Sequence, residues 1–102
     1  MHKRTKALMI PAEVKARVLE RDKSCIYCGR DGFPNAHYIS RAHGGLGIEQ
    51  NIVTLCSRCH HEYDNGRFPE LYRGIIQRYL FEKYPDFPDE LRVYRKGIYE
   101  TP

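Results

Sequence analysis

The stretch CIYCGRDGFPNAHYISRAHGGLGIEQNIVTLCSRCHHEYDNG, residues 25–66, decides the fold. It opens on Cys25-x-x-Cys28 and closes with Cys56-x-x-Cys59 near its end, and these are all four cysteines of the chain. Two such pairs across a long segment form two knuckles whose thiolates close a tetrahedron round zinc. Disulfides or redox pairs are the other uses of this pattern. No secretory leader is read at the start of the chain, and a reducing compartment favours the metal. With protein sulfur at every position the ion has no site for water, so its role is architectural. Joining the knuckles pins the two ends of residues 29–55 against each other.

Inside the clamp, His37-Tyr38-Ile39-Ser40 and Ile52-Val53-Thr54-Leu55 are β-rich runs flanking Gly44-Gly45-Leu46-Gly47, which predicts a hairpin. Gly44 and Gly45 are read as turn residues. Ser57 to Asp64, followed by Asn65-Gly66, predicts a short helix with a glycine stop. The order strand, strand, helix makes the fold class α+β.

Outward from this core, Pro11-Ala12-Glu13-Val14 opens a helix that runs to about Arg21. Val14, Val18 and Leu19 form its narrow apolar stripe, and Lys15, Arg17, Glu20 and Arg21 suit a wet or DNA-facing side. Residues 1–9 read as a flexible basic arm. From Pro69 to about Lys83 a second helix is predicted, because Leu71, Ile75 and Tyr79 recur every four residues and Ile76 and Leu80 widen the same stripe. Pro85 and Pro88 end it. The tail, 84–102, contains Leu91 to Tyr99, read as an extended strand or ordered arm.

Residues 10–102 are read as one domain, and a domain of this length buries a modest core that commonly needs a staple. A net charge of +4 and a pI near 8.9 are compatible with nucleic-acid binding without requiring it. No apolar run approaches the roughly 20 residues of a membrane span. Ala7 to Pro11 is too short for a signal-peptide core, so the expectation is an intracellular protein.

The frame Cys25-x-x-Cys28, His37, Gly44-Gly45, Asn51, Cys56-x-x-Cys59-His60 resembles the HNH endonuclease family, most closely small phage and bacterial members. The resemblance implies a ββα-metal (His-Me finger) motif with a four-cysteine zinc site, here flanked by N- and C-terminal helices. It implies that His37 deprotonates the attacking water, that Asn51 ties backbone across the loop, and that His60 binds a catalytic divalent cation. Imidazole, with a pKa of about 6.5, is largely neutral at pH 7 and suited to the base role. Asp64, four residues after His60, shares its helix face and is a second ligand candidate. Where many members carry an aspartate or histidine ligand just before the base, this chain has Ala36; Asn35 and Asp31 are the substitutes to consider. Magnesium, manganese or nickel would serve as the ion, since Mg2+ keeps several waters and needs few side chains.

DNA is the implied partner, with Arg41, Arg58 and Arg67 as phosphate-binding candidates. His43 and His61 are read as surface or packing residues. The phage likeness suggests a role near genome packaging, with terminase and portal as partners, in the cytoplasm of a bacterial host. The alternatives are a zinc-stapled DNA-binding module without catalysis and a protein-interaction zinc module that uses the tyrosine-rich tail.

Overall fold

The computed structural model describes residues 2–95. At its centre β1 (Phe33–His37) pairs antiparallel with β2 (Ile52–Leu55), with Ala36 opposite Val53 and His37 opposite Ile52. The register shifts between Phe33 and Ala36, where Pro34 has no amide proton to donate to the ladder. Every residue of β2 is buried, because helices cover both faces of this small sheet. Ile52 joins Val14, Val18 and Ile10, whereas Val53 and Leu55 join Ala36, Tyr38, Ile76, Leu80 and three of the cysteines, Cys25, Cys56 and Cys59.

The first strand starts earlier than expected and ends at His37. Its ladder runs out when the Tyr38 amide donates to the Asn51 carbonyl at 2.8 Å. From there the Asn51 side chain takes over: Oδ1 accepts from the Ile39 amide (2.9 Å), and Nδ2 donates to the carbonyls of Ile39 (3.1 Å) and Leu46 (2.9 Å). Asn51 is 0% exposed. Gly45 does more than turn the chain, since a Cβ there would overlap the Ile39 carbonyl and crowd the Asn51 amide.

Helix α1 (Lys3–Leu8) occupies the segment expected as a flexible arm. Six residues hold a helix poorly by propensity alone, and here tertiary contacts hold it: Leu8 is buried and the Gly47 amide donates to the Ala7 carbonyl at 3.0 Å. Helix α2 (Ala12–Asp22) follows Pro11 and stops at Lys23, whose φ is 67°. It buries Val14 and Val18. Arg21, expected on the wet side, instead turns inward. It pairs with Asp22, whose side chain is fully buried, and donates to the carbonyls of Glu49 (2.8 Å) and Ile52 (2.7 Å). Asp22 in turn accepts from the Thr54 amide at 2.8 Å and from the Tyr79 hydroxyl. This ion pair is a bracket between α2, β2 and the C-terminal helix.

Helix α3 (Ser57–Asn65) follows β2 directly, and α4 (Pro69–Lys83) packs beside it. The buried stripe of α4 is Ile76 and Leu80 with Tyr72 and Tyr79 alongside, whereas Leu71 (57% exposed) and Ile75 (39%) face out. At 100° per residue both stripes are helical, and only the position of the sheet chooses between them. Beyond α4, Val93 bridges Gly45 and buried Arg92 donates to the carbonyls of Gln50 (2.6 Å) and Phe87 (2.7 Å). The tail thus holds one edge of loop 38–51; Ile98 and Tyr99 lie outside the described residues. Among the described residues no helix is long and apolar enough to cross a membrane.

Candidate functional site

Two sites meet on α3. The first is the sulfur cluster. Cys25 and Cys28 come from the knuckle before β1, Cys56 follows β2 as the N-cap of α3, and Cys59 is in the first turn of α3. Their sulfurs all lie within 4.8 Å of one another, with 3.5 Å between Cys28 and Cys56. Zinc–sulfur bonds of about 2.3 Å put tetrahedral sulfurs about 3.8 Å apart, so the cluster fits that ion. Cys56 also caps α3, its sulfur accepting from the Cys59 amide at 3.3 Å.

The thiols respond differently to this crowding. Burial would raise the Cys25 thiol, yet the amide donors around it draw it down to about 7. Amide donation from Cys59 lowers Cys56, and burial among neighbouring thiols pushes Cys59 up. Four thiolates cannot share so small a volume without a cation among them. The four cysteines are positioned to bind a metal ion such as zinc.

The second site is a cleft of about 800 Å³ lined by residues of α1, α2, β1, loop 38–51, α3 and α4. Strand alternation sends Ala36 into the core and turns Asn35 and His37 into the cleft. Burial holds His37 below the ordinary histidine value, opposed by the hydrogen bond to the Leu8 carbonyl and aided by the nearby Arg41 and His60. Its Nε2 lies 3.0 Å from the Leu8 carbonyl. From α3, His60 Nε2 lies 3.2 Å from Asp64 Oδ2, and their side chains are 27% and 55% exposed. Two adjacent ligands of an octahedral ion at about 2.1 Å stand about 3.0 Å apart, so this pair has the spacing to hold one divalent cation.

Of the other expected residues, Arg41 and His43 line the cleft and Asp31 does not. Arg58 sits beside the sulfur cluster with Tyr27, Arg30 and Tyr72, and exposed Arg67 lines neither hollow. Asn51 reaches no substrate position, because its side-chain hydrogen bonds all go to the loop it ties.

The cleft also holds side chains that the sequence reading had not assigned to it: Tyr63, Arg73 and the rim residue Lys15. Tyr63 follows His60 by three positions, so helical spacing could have found it. Its hydroxyl lies 2.9 Å from the Tyr38 carbonyl and 3.2 Å from that of His37, tying α3 to the end of β1. For Arg73, for Lys15 and above all for the Leu8 carbonyl, no local signal existed.

A family model described as HNH endonuclease matches residues 25–66. No curated protein and no solved structure matches. The two-stranded sheet, flanking helices and cysteine cluster are consistent with the ββα-metal fold of that family. The match and the cluster point to a nuclease or DNA-binding protein that carries a metal such as zinc.

Proposed function

With residues 25–66 in the HNH endonuclease family, we propose that this protein is a metal-dependent DNA endonuclease that hydrolyses phosphodiester bonds. The observation that carries the reading is convergence: a histidine disposed to be neutral and a histidine–carboxylate pair open into one cleft whose other charged lining residues are Arg41, Lys15, Arg73 and Glu70.

His37 takes the proton from the attacking water. Neutral imidazole is the competent form, and burial favours it. Arg41 and Arg73 hold phosphate oxygens through paired donors and orient the scissile bond in line with the water. His60 and Asp64 hold the divalent cation, magnesium or alternatively manganese or nickel. Held there, such an ion would supply Lewis-acid polarisation of the phosphate and stabilisation of charge on the departing 3′ oxygen. Asn51 keeps the loop, and with it the strand end that bears the base, in one conformation. The products are a 5′-phosphate and a 3′-hydroxyl. The zinc takes no part in bond making.

Incubating supercoiled plasmid with magnesium, manganese or nickel tests this directly. Nicked or linear DNA should form with the wild type, and not with His37→Ala protein of unchanged zinc content. A second reading is favoured by Ala36, which is buried in the core and offers no ligand. Among the described residues, the cysteine cluster is the one group of three or more metal-ligating side chains close enough to share an ion. In that reading the chain is a zinc-stapled DNA-binding module without catalysis, and it predicts DNA retention without nicking under every metal. The phage likeness makes genome packaging in a host cytoplasm, with terminase or portal nearby, the first setting to test through neighbouring genes.

A further inference from the structure

Residues 7–10 lie outside the family match, yet they cross the cleft directly against the proposed base. The crossing is anchored at several points. The Arg4 guanidinium donates to the Arg41 carbonyl at 3.3 Å, the Gly47 amide donates to the Ala7 carbonyl at 3.0 Å, Leu8 is 3% exposed, and Ile10 packs on Val14, Val18 and Ile52. Gly47 has a specific reason to be glycine. A Cβ there would overlap the Met9 carbonyl, so the loop and the crossing segment meet at backbone distance.

A carbonyl oxygen can only accept, so the 3.0 Å contact between the Leu8 carbonyl and His37 Nε2 requires the proton to be on Nε2. In a neutral imidazole the other nitrogen, Nδ1, is then the one with a free lone pair. We infer that residues 7–10 are a positioning latch for the nuclease site: the Leu8 carbonyl fixes the ring and tautomer of His37, leaving Nδ1 as the atom that accepts the water proton. The inference rests on His37 being the base. It adds that a segment upstream of the family motif completes that base. Without the latch the ring would divide between two tautomers and turn about its side-chain bonds, and only one of those arrangements presents a lone pair to the water.

The test uses full-length protein labelled with 15N at histidine, whose ring nitrogens report the tautomer independently of any nuclease activity. In the wild type, His37 should show a protonated Nε2 and an unprotonated Nδ1. Gly47→Ala pushes Met9 off the loop and Leu8→Asp removes the buried anchor; neither residue belongs to the catalytic groups. Either variant, with unchanged zinc content, should show mixed tautomers at His37. Its kcat for plasmid nicking should fall by on the order of tenfold to a hundredfold, with a much smaller change in KM. A wild-type ring protonated on Nδ1 overturns the latch on its own, whether or not the variants fold. So does a ring signature unchanged in the zinc-loaded variants. A wild type that shows the Nε2 proton, loses it in the variants and never nicks DNA supports the latch and removes the nuclease reading instead.

Discussion

Helix α3 carries two sites built on opposite principles. At its start, Cys56 and Cys59 are buried, accept or make local backbone hydrogen bonds, and pack in the apolar cluster with Val53, Leu55 and Leu80. Further along it, His60 and Asp64 are 27% and 55% exposed in their side chains, pair across 3.2 Å and open into the cleft. The buried end is a closed set of four sulfurs suited to a staple, whereas the exposed end leaves its polar groups facing the cleft. The same contrast separates two ion pairs. Arg21 and Asp22 are buried and bonded to several backbone groups, so they fix structure, while His60 and Asp64 are partly exposed and pair only side chain to side chain.

The fold is most sensitive at the staple. Cys56→Ser should lose zinc and, with it, the fold, since structural zinc in small domains contributes on the order of 10 kcal/mol to folding; metal analysis with circular dichroism reads both. Next in size, His37→Ala should lower nicking by about 10²–10⁴-fold with zinc and melting temperature close to the wild type. If zinc were lost as well, the two sites would not be separable.

Asn51→Ala should destabilise the domain by about 3 kcal/mol, because it strands the Ile39 amide and the Ile39 and Leu46 carbonyls in a buried loop. Chemical denaturation would read this. Tyr63→Phe, which removes one hydroxyl between α3 and β1, should cost about 1 kcal/mol of stability and slow nicking modestly.

The smallest effect concerns pH. Burial lowers the pKa of His37 below 6.5, so the acid limb of the nicking profile should have its midpoint below that value. The unfolded chain, with an ordinary imidazole, binds the proton first as pH falls. The stability contribution of His37 is therefore present above pH 6.5 and declines as pH drops through its lowered folded value. An acid limb centred above 6.5 would mean that the Leu8 hydrogen bond outweighs burial at this ring.

The cysteine cluster was legible because thiols declare themselves by identity and spacing. The strand–strand–helix order was legible because β-branched residues, glycines and a polar helix follow each other within a short span. The strand containing His37 was misplaced toward its C-terminal side. Its end is set by Asn51, a residue twelve or more positions downstream that replaces backbone pairing with side-chain pairing. The stripe on α4 was read too far round, since Leu71 and Ile75 are as periodic as Tyr72, Ile76 and Tyr79 and only the sheet distinguishes them.

By itself the sequence determined the sulfur ligands, the α+β order and the set of histidines and asparagine available for chemistry, because each depends on residue type at short spacing. Only the tertiary structure decided which cations meet the cleft, with Arg41, Arg73 and Lys15 at it and Arg58 at the knuckle. Only the tertiary structure turned an expected basic arm into a helix whose final carbonyl holds His37. The physical reason is that a backbone carbonyl is the same in every residue, so its role has no signature in the sequence and is set wholly by where the chain is anchored.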